Sequence, residues 1–401
     1  MEVEDHSSTR LGIRVLRGKS IILISFCFFS HLVIASEALF AGFSFTGQWN
    51  QRADLYPYAS ALADEVGENG LNPLDSALMD SMRGFNSSNL TLVYQQQKNA
   101  SAGTPVTLAF GLGGESVEEV KSKTDVVVIY RVMTRILAFD WDEKKLIAAF
   151  PLQVVYQDVV SKSPSEDERR EVFRKMYTDT SFSGNVFNAW REKLSKTQIK
   201  DSYGLYFGVS DIAIGEKAAE ILNSAGLEAA SYQTLVAQTV ESTLSDAQGI
   251  GIVPFTAGES IGSNMALRFS DATTLNLQLP EPDFRMKFLV TNFRNVEKVK
   301  GRVRTIYVAA YGKAEVFLQD EDIKKTYFQG DLKHINKMIF STSDEVEVDY
   351  WSAYQTALRT LLVRFSTQIS EQDPKVVKAL NPDMDLTSNF KEMLKIVEKC
   401  K

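Results

Sequence analysis

The chain has 401 residues and a formal net charge of −7, with 51 acidic and 44 basic side chains. This acidic balance argues against a nucleic-acid-binding protein, which needs a concentrated basic surface, and against a polybasic membrane patch. Because the chain contains only two cysteines, Cys27 and Cys400, the composition also excludes a disulfide-built extracellular module.

The N-terminal segment has the pattern of a signal peptide. Four basic residues precede an apolar run over residues 21–35, which is short for a membrane span of about 20 residues. We predict a signal peptide over residues 1–38, with cleavage after Ala38 or, as a second choice, after Ala35. A retained N-terminal anchor is the alternative. The basic residues are Arg10, Arg14, Arg17 and Lys19.

Cleavage would leave one cysteine, Cys400, and one histidine, His334, so neither an intramolecular disulfide nor a conventional zinc site can form. We predict no cofactor and no metal. No later apolar run reaches the length of a span, so we predict no membrane span after cleavage. The signal peptide predicts export across a membrane. A bacterial periplasm is the favoured compartment, because a eukaryotic secreted chain of this size usually carries disulfides.

The first predicted domain covers residues 39–198. Asn72 and Pro73 are typical of a helix start, and the β-branched run 125–137 is typical of a central buried strand. A polar turn at 140–143 leads to a returning strand over 145–160. The segment Ser163–Glu166 predicts a capping box, with proline at the first helical position. A second helix is predicted over 185–196.

The second predicted domain covers residues 199–372, and residues 373–401 form a tail. A strand over 203–214 precedes a helix over 227–245, and "TLNLQLP" places alternate leucines on one face. "DYWSAYQTALRTLLVRFSTQIS" repeats apolar residues at steps of three and four and predicts a long amphipathic helix. The fold class is therefore α+β, with two similar domains whose mixed or antiparallel sheets are packed by amphipathic helices.

The two halves show a weak internal similarity. Residues 147–158 can be laid on 308–319, and residues 126–135 on 285–294. In each half the paired strands are followed by an amphipathic helix. These alignments indicate an internal duplication.

"GESIG" at residues 258–262 has the G-x-S-x-G spacing of a hydrolase nucleophile elbow, which needs a helix directly after the serine. Here the residues after Ser260 show the alternating pattern of a strand and not the periodicity of a helix. Gly-Glu-Ser also follows an apolar strand at 114–116, so we predict a repeated structural turn and a protein that is not an enzyme. The alternative is a secreted serine hydrolase that uses Ser260 and His334 with an acid such as Asp320 or Asp331.

The tail contains a short amphipathic helix, and a helix of about 14 residues is only marginally stable alone. Its apolar face must therefore pack on something. One interpretation is that it packs on this protein's own sheet. The other is that it binds an envelope protein or a second copy of the chain, with Cys400 able to cross-link two copies. The candidate partner-binding residues are Phe390, Met393, Leu394 and Val397.

In element order, residues 200 to 370 resemble the periplasmic α/β domains of the curli secretion protein CsgG, the penicillin-binding-protein activator LpoB and the TolB N-terminal domain. "GLYFGVSDIAI" at 204–214 is similar to the strand that opens those domains. The resemblance implies binding or assembly in the cell envelope. Cys27 has no lipobox before it, so the membrane tether of the lipoproteins is not implied. A third alternative is a solute-binding protein with a ligand cleft between the halves.

Overall fold

The computed structural model describes residues 36–47, 49, 52–67, 70–88, 90–94, 106–121, 125–227, 229–255, 264–269, 272–319, 324–343 and 348–401. They fall in one compact unit, Ala35–Lys401, which contains two mixed sheets and the helices that pack on them. The α+β fold class is confirmed. The predicted signal peptide lies outside the described residues, except for its last three positions.

The first sheet has seven strands in the order β2-β1-β3-β4-β5-β9-β8. Strands β3, β4 and β5 form an antiparallel meander, while β1 pairs in parallel with β2 and β3. The strands are β1 (Ser36–Thr46), β2 (Leu90–Val93), β3 (Thr107–Lys121), β4 (Val126–Asp140), β5 (Lys145–Val160), β8 (Asn264–Phe269) and β9 (Thr274–Gln278). Its helices are α1 (Arg52–Leu55), α2 (Pro57–Ala63), α3 (Pro73–Met82), α4 (Glu166–Thr178) and α5 (Val186–Lys196).

The second sheet has five strands in the order β12-β11-β10-β6-β7. The strands are β6 (Phe207–Ile214), β7 (Ile252–Val253), β10 (Phe284–Lys300), β11 (Val303–Gln319) and β12 (Lys324–Ser341). Its helices are α6 (Glu216–Ser224), α7 (Ala229–Gln248), α8 (Tyr350–Glu371), α9 (Pro374–Leu380) and α10 (Thr387–Lys399). Helix α8 buries the apolar stripe predicted for it, including Leu358, Leu361 and Phe365.

Local signals place the helix starts. The Asn72 side chain accepts a hydrogen bond from the Asp75 backbone N–H at 2.9 Å, as predicted for α3. The capping box before α4 exists, but its cap is Ser165 with Glu168 and not Ser163 with Glu166. Ser163 is engaged elsewhere, because its hydroxyl donates to Glu119 of β3 at 2.7 Å.

Strands β8 and β9 leave the second half and complete the first sheet. Strand β8 pairs with β1 from Ser44↔Phe269 to Thr46↔Leu267, and β9 reaches β5 at Lys145↔Gln278. The sheet therefore closes on itself around a small apolar cluster. The predicted alternation in β9 is confirmed, since Leu275 and Leu277 are buried. Residues 264–278, which the sequence assigned to the second domain, thus belong to the sheet of the first.

The two sheets repeat one topology. Strands β2-β1-β3-β4-β5 have the same order and directions as β7-β6-β10-β11-β12. Three breaks in strand register also recur 178 residues apart: after positions 108 and 286 and after 112 and 290 of β3 and β10, and after 138 and 316 of β4 and β11. Strand β3 therefore corresponds to β10, and β4 to β11. Both predicted alignments are wrong, because that of 126–135 with 285–294 lays β4 on β10 and that of 147–158 with 308–319 lays β5 on β11.

Candidate functional site

The glycine-rich stretch 111–116 lies inside strand β3 and is not a turn. The pairing of β3 with β4 shifts between Leu112 and Gly114, so Gly113 is the extra residue of a β-bulge. The predicted turn at Gly114–Ser116 is therefore wrong. A bulge bends its strand and changes the direction of the side chains that follow. Here the next side chain is Glu115.

Glu115 caps helix α2 from a distant strand. Its carboxylate accepts the backbone N–H groups of Tyr58 at 2.8 Å and Ala59 at 3.1 Å, and the hydroxyl of Tyr177 at 2.6 Å. The residue before α2, Tyr56, provides no side-chain cap, so Glu115 satisfies N–H groups that would otherwise lack partners.

Enclosure changes the acidity of this carboxyl group. Although the residue as a whole keeps some exposure, desolvation raises the pKa of Glu115 to about 7. The hydrogen bonds from Tyr177, Tyr58 and Ala59 act in the opposite direction and only partly offset this effect.

A cleft of about 610 Å³ lies between strand β3 and helix α7. This volume falls in the range of small-molecule sites, which are mostly apolar with a few placed polar groups. One wall is the bulged part of β3, and the other is α7 with Trp351 of α8. The apolar lining residues are Leu55, Val117, Met133, Leu227, Leu235 and Trp351.

Gln238 brings a polar group to the middle of this cleft. A Cβ atom built on Gly113 would lie 3.6 Å from Gln238 Nε2, and one built on Gly114 would lie 4.0 Å from its Oε1. The amide end of Gln238 therefore faces the bulge. Because the extra residue of a bulge is left out of the ladder, its backbone can bond to other groups. The cleft thus combines apolar side chains with the neutral amide of Gln238 and with the carboxyl groups of Asp54, Glu115 and Glu118.

A buried ion pair lies close to this site. Arg135 Nη2 of β4 lies 3.9 Å from Glu241 Oε2 of α7, and both side chains are almost fully buried. Glu241 also accepts the Phe255 backbone N–H at 2.5 Å. Desolvation raises the pKa of Glu241 to about 7, and the charge of Arg135 offsets only part of that rise. The pair fixes α7 against the first sheet.

A second cleft, of about 630 Å³, lies between α5, the segment 197–203 and the end of α7. Its lysines are engaged in contacts within the chain: Lys193 lies 2.6 Å from Asp246, and Lys196 lies 2.5 Å from Glu192. The first of these ion pairs links the two halves. This cleft is more polar than the one at β3.

The proposed hydrolase residues are not brought together among the described residues. His334 of β12 is buried, and its Nε2 lies 2.7 Å from Asn336 Oδ1. Burial lowers the pKa of His334. Asp331 is three residues away on the same strand, so its side chain points to the opposite face. Ser260 and Asp320 lie outside the described residues.

The tail helix packs on this protein's own sheet, the first of the two predicted alternatives. Phe390, Met393 and Val397 are fully buried, and Leu394 packs against the same core. The Phe390 ring lies 5.2 Å from the Phe328 ring of β12. These four residues are thus occupied within the chain and do not form an open partner surface. Cys400 is also buried, and desolvation raises its pKa to about 12.

Within the described ranges, no helix is long and apolar enough to cross a bilayer, and no three His, Cys, Asp or Glu side chains cluster as metal ligands. Sequence reasoning missed Glu115, Gln238 and Glu241. The glycines before Glu115 were a usable signal, because a glycine pair inside a strand pattern marks a bulge. Gln238 and Glu241 lie on an amphipathic helix, where a polar residue is ordinary, so the sequence did not mark them as site residues.

No known family model and no curated protein matches this chain. Among solved structures, the hypothetical protein CT253 from Chlamydia trachomatis is similar over 50% of this chain and 98% of its own, with 13% sequence identity and a TM-score of 0.24. A similarity at this TM-score carries no argument about the function of the present chain.

Proposed function

We propose that this protein is a non-enzymatic binding protein of the cell envelope, and that it holds its ligand in the cleft between β3 and α7. The observation that carries the proposal is the cleft itself. It has the volume of a ligand site, and it is formed jointly by the two halves of the chain. A cleft between halves is what the solute-binding alternative requires. The resemblance to CsgG, LpoB and TolB domains stays a prediction beside it.

The chemistry of the cleft favours a neutral amphipathic ligand. The carboxylate of Glu115 already accepts three hydrogen bonds, and that of Glu118 forms an ion pair with Arg131. Asp54 is exposed, and the rest of the lining consists of apolar side chains, the hydroxyls of Ser116, Ser231 and Thr234, the amide of Gln238 and the bulged backbone at Gly113. An apolar group that ends in a hydrogen-bonding amide, hydroxyl or carbonyl would match both parts.

Cleft binding can be tested with the neutral fluorophore Nile red as a probe. Thr234 lines the cleft, so Thr234→Trp should fill it and abolish saturable probe fluorescence. Val363 is 40% exposed on α8 and lies outside the cleft, so Val363→Trp is the matched control and should bind as the unmodified protein does. Equal binding by all three proteins, or no saturable binding at all, would refute the cleft as a ligand site.

The envelope location needs a separate test, because it depends on the N-terminal pattern alone. Residues 1–38 can be fused to alkaline phosphatase, which is active only after export. Activity that disappears when Arg14 and Arg17 are both changed to Glu would support export, since a signal peptide needs its positive n-region. An inactive fusion would contradict the envelope location while leaving the cleft proposal intact.

A further inference from the structure

Exposed aliphatic side chains cluster at one end of the second sheet. Strand β10 is exposed continuously from Arg294 to Lys300, where the β10–β11 hairpin projects from its sheet. Five large aliphatic residues lie on this hairpin and the adjoining part of β12. They are Val296, Val299, Val303, Ile335 and Ile339, with exposures of 38, 61, 45, 48 and 60%.

Most of these residues share one face of the sheet. Phe293 and Ile306 are buried on the inner face, so their alternating neighbours point outward. The register places Arg294 beside Ala309 and Ile335, Val296 beside Tyr307 and Lys337, and Lys298 beside Thr305 and Ile339. We call this surface the basic face; it comprises residues 294, 296, 298, 300, 303, 305, 307, 309, 335, 337 and 339.

The basic face is cationic although the chain is acidic. Residues 291–310 contain five basic side chains and one acid, Glu297, whose alternation places it on the inner face. There Glu297 pairs with Arg304 at 2.9 Å. The basic face itself carries Arg294, Lys298, Lys300 and Lys337 and no acidic residue. A net charge of −7 therefore conceals a local positive surface interleaved with exposed valine and isoleucine.

We propose that the basic face and the tip of the β10–β11 hairpin dock on an anionic lipid surface. Lysine and arginine near such a surface are attracted to its headgroups, and exposed aliphatic side chains gain free energy by entering the boundary between headgroups and acyl chains. Lysine suits this position because its aliphatic stem lies along apolar groups while its ammonium stays in the polar layer. Charge complementarity and apolar insertion therefore act from the same face.

Two other classes of partner fit this surface less well. Single-stranded nucleic acid binds sheet faces by stacking bases on aromatic rings, but the exposed large apolar side chains here are aliphatic. The Tyr307 ring is only partly exposed and has Lys298 Nζ 5.6 Å from its centroid. The cores of protein–protein interfaces are depleted in lysine, whereas here lysines stand among the aliphatic residues.

The experiment is co-sedimentation of the purified protein with phosphatidylglycerol-containing vesicles and with pure phosphatidylcholine vesicles. We expect binding to the anionic vesicles only. Reversing two charges with Lys298→Glu and Lys300→Glu should weaken it at least about 30-fold, since losing each cation costs about 1 kcal/mol and each new carboxylate is repelled as well. Replacing Ile335 and Ile339 by serine should weaken it about tenfold, because less apolar surface is buried.

The matched control changes Lys217 and Lys375 to Glu. Both are exposed near the N-termini of α6 and α9, where a carboxylate is tolerated, and the net charge changes by the same amount. This control should bind as the unmodified protein does. Equal weakening by the control, or no binding to anionic vesicles, would overturn the proposal. The proposal would also be overturned if the protein bound a fluorescent single-stranded oligonucleotide more tightly than the anionic vesicles and the Lys298→Glu, Lys300→Glu variant lost that binding.

Discussion

Arg135 and Glu241 are 106 positions apart in the chain, yet their charged groups lie 3.9 Å apart in the interior. Arg135 belongs to β4 and Glu241 to α7, so the pair joins the first sheet to the second half of the chain. The backbone carbonyl of Arg135 also accepts the indole N–H of Trp190 at 3.2 Å. A charge buried this deeply is tolerated only with a partner, which makes the pair a sensitive point of the fold.

Removing one member of this pair should destabilise the protein strongly. Glu241→Leu leaves Arg135 buried and unpaired, and should lower the free energy of unfolding by about 3 kcal/mol or more. The double variant Arg135→Met with Glu241→Leu should regain most of that loss, because no charge is left unpaired. Urea unfolding of the unmodified protein, the single variants Arg135→Met and Glu241→Leu, and the double variant measures the coupling. A double variant no more stable than Glu241→Leu would show that the pair is not the cause.

Stability should fall as pH rises through neutrality. The folded pKa of Glu115 and of Glu241 is about 7, above the unfolded value of 4.5, so the folded protein binds these protons more tightly. Their contribution to stability is complete below pH 4.5 and is lost as pH rises through 7. For Glu241 alone the loss is about 3 kcal/mol.

The control for this pH dependence is Glu241→Gln, which cannot titrate. His334 acts in the opposite sense, because its lowered pKa removes stability as the pH falls below 6.5. Both proteins contain His334, so its effect cancels when their unfolding free energies are subtracted at each pH from about 5 to about 8. A difference that does not change with pH would mean that Glu241 keeps an ordinary pKa.

Two glycines near the bulge residue Gly113 should respond differently to alanine. A Cβ atom on Gly111 would lie 2.7 Å from Leu137 Cδ1 and 3.0 Å from Thr46 Cγ2, whereas one on Gly114 meets nothing closer than 3.5 Å. Gly111→Ala should therefore cost about 2 kcal/mol by overpacking, and Gly114→Ala should be nearly neutral. Thermal unfolding of both variants tests this, and a reversed order would contradict the geometry of the bulge.

The tail should be part of the folding unit. Phe390 packs against the rings of Phe328 and Phe365, so Phe390→Ala should cost about 3–5 kcal/mol, and truncation after Asp373 should collapse thermal stability. Lys391→Ala, at an exposed position on the same helix, is the control. The buried Cys400 should resist iodoacetamide in the folded protein and form no disulfide dimer. A stable truncated chain would restore the partner-binding interpretation of this helix.

We predict that cleavage of the proposed signal peptide leaves Ser36 as the N-terminus. Strand β1 begins there, and Ser36, Glu37 and Ala38 pair with Leu90, Thr91 and Leu92 of β2. Cleavage after Ala38 would remove these pairings, whereas cleavage after Ala35 preserves them. The intact mass of the exported protein distinguishes the two sites, and a start at Leu39 would show that β1 does not need its first three residues.

Features that depend on neighbouring residues could be predicted from the sequence alone. Asn72 and Pro73 begin α3, the leucines of β9 alternate, and α8 carries a buried stripe, because caps and periodicities act over a few positions. The sequence also indicated α+β architecture. It placed the capping box of α4 two residues early, since it could not show that Ser163 bonds to Glu119.

Contacts between distant segments became visible only in the folded chain. An apolar strand can pair with many others, so the sequence did not show that β8 and β9 complete the first sheet or that β4 corresponds to β11. Likewise, Glu115 caps α2 only because a bulge in β3 turns it there. The basic face could not be recognised from net charge, because net charge is a sum over the whole surface. It became visible only from the strand register, which places alternate side chains of β10, β11 and β12 on the same face.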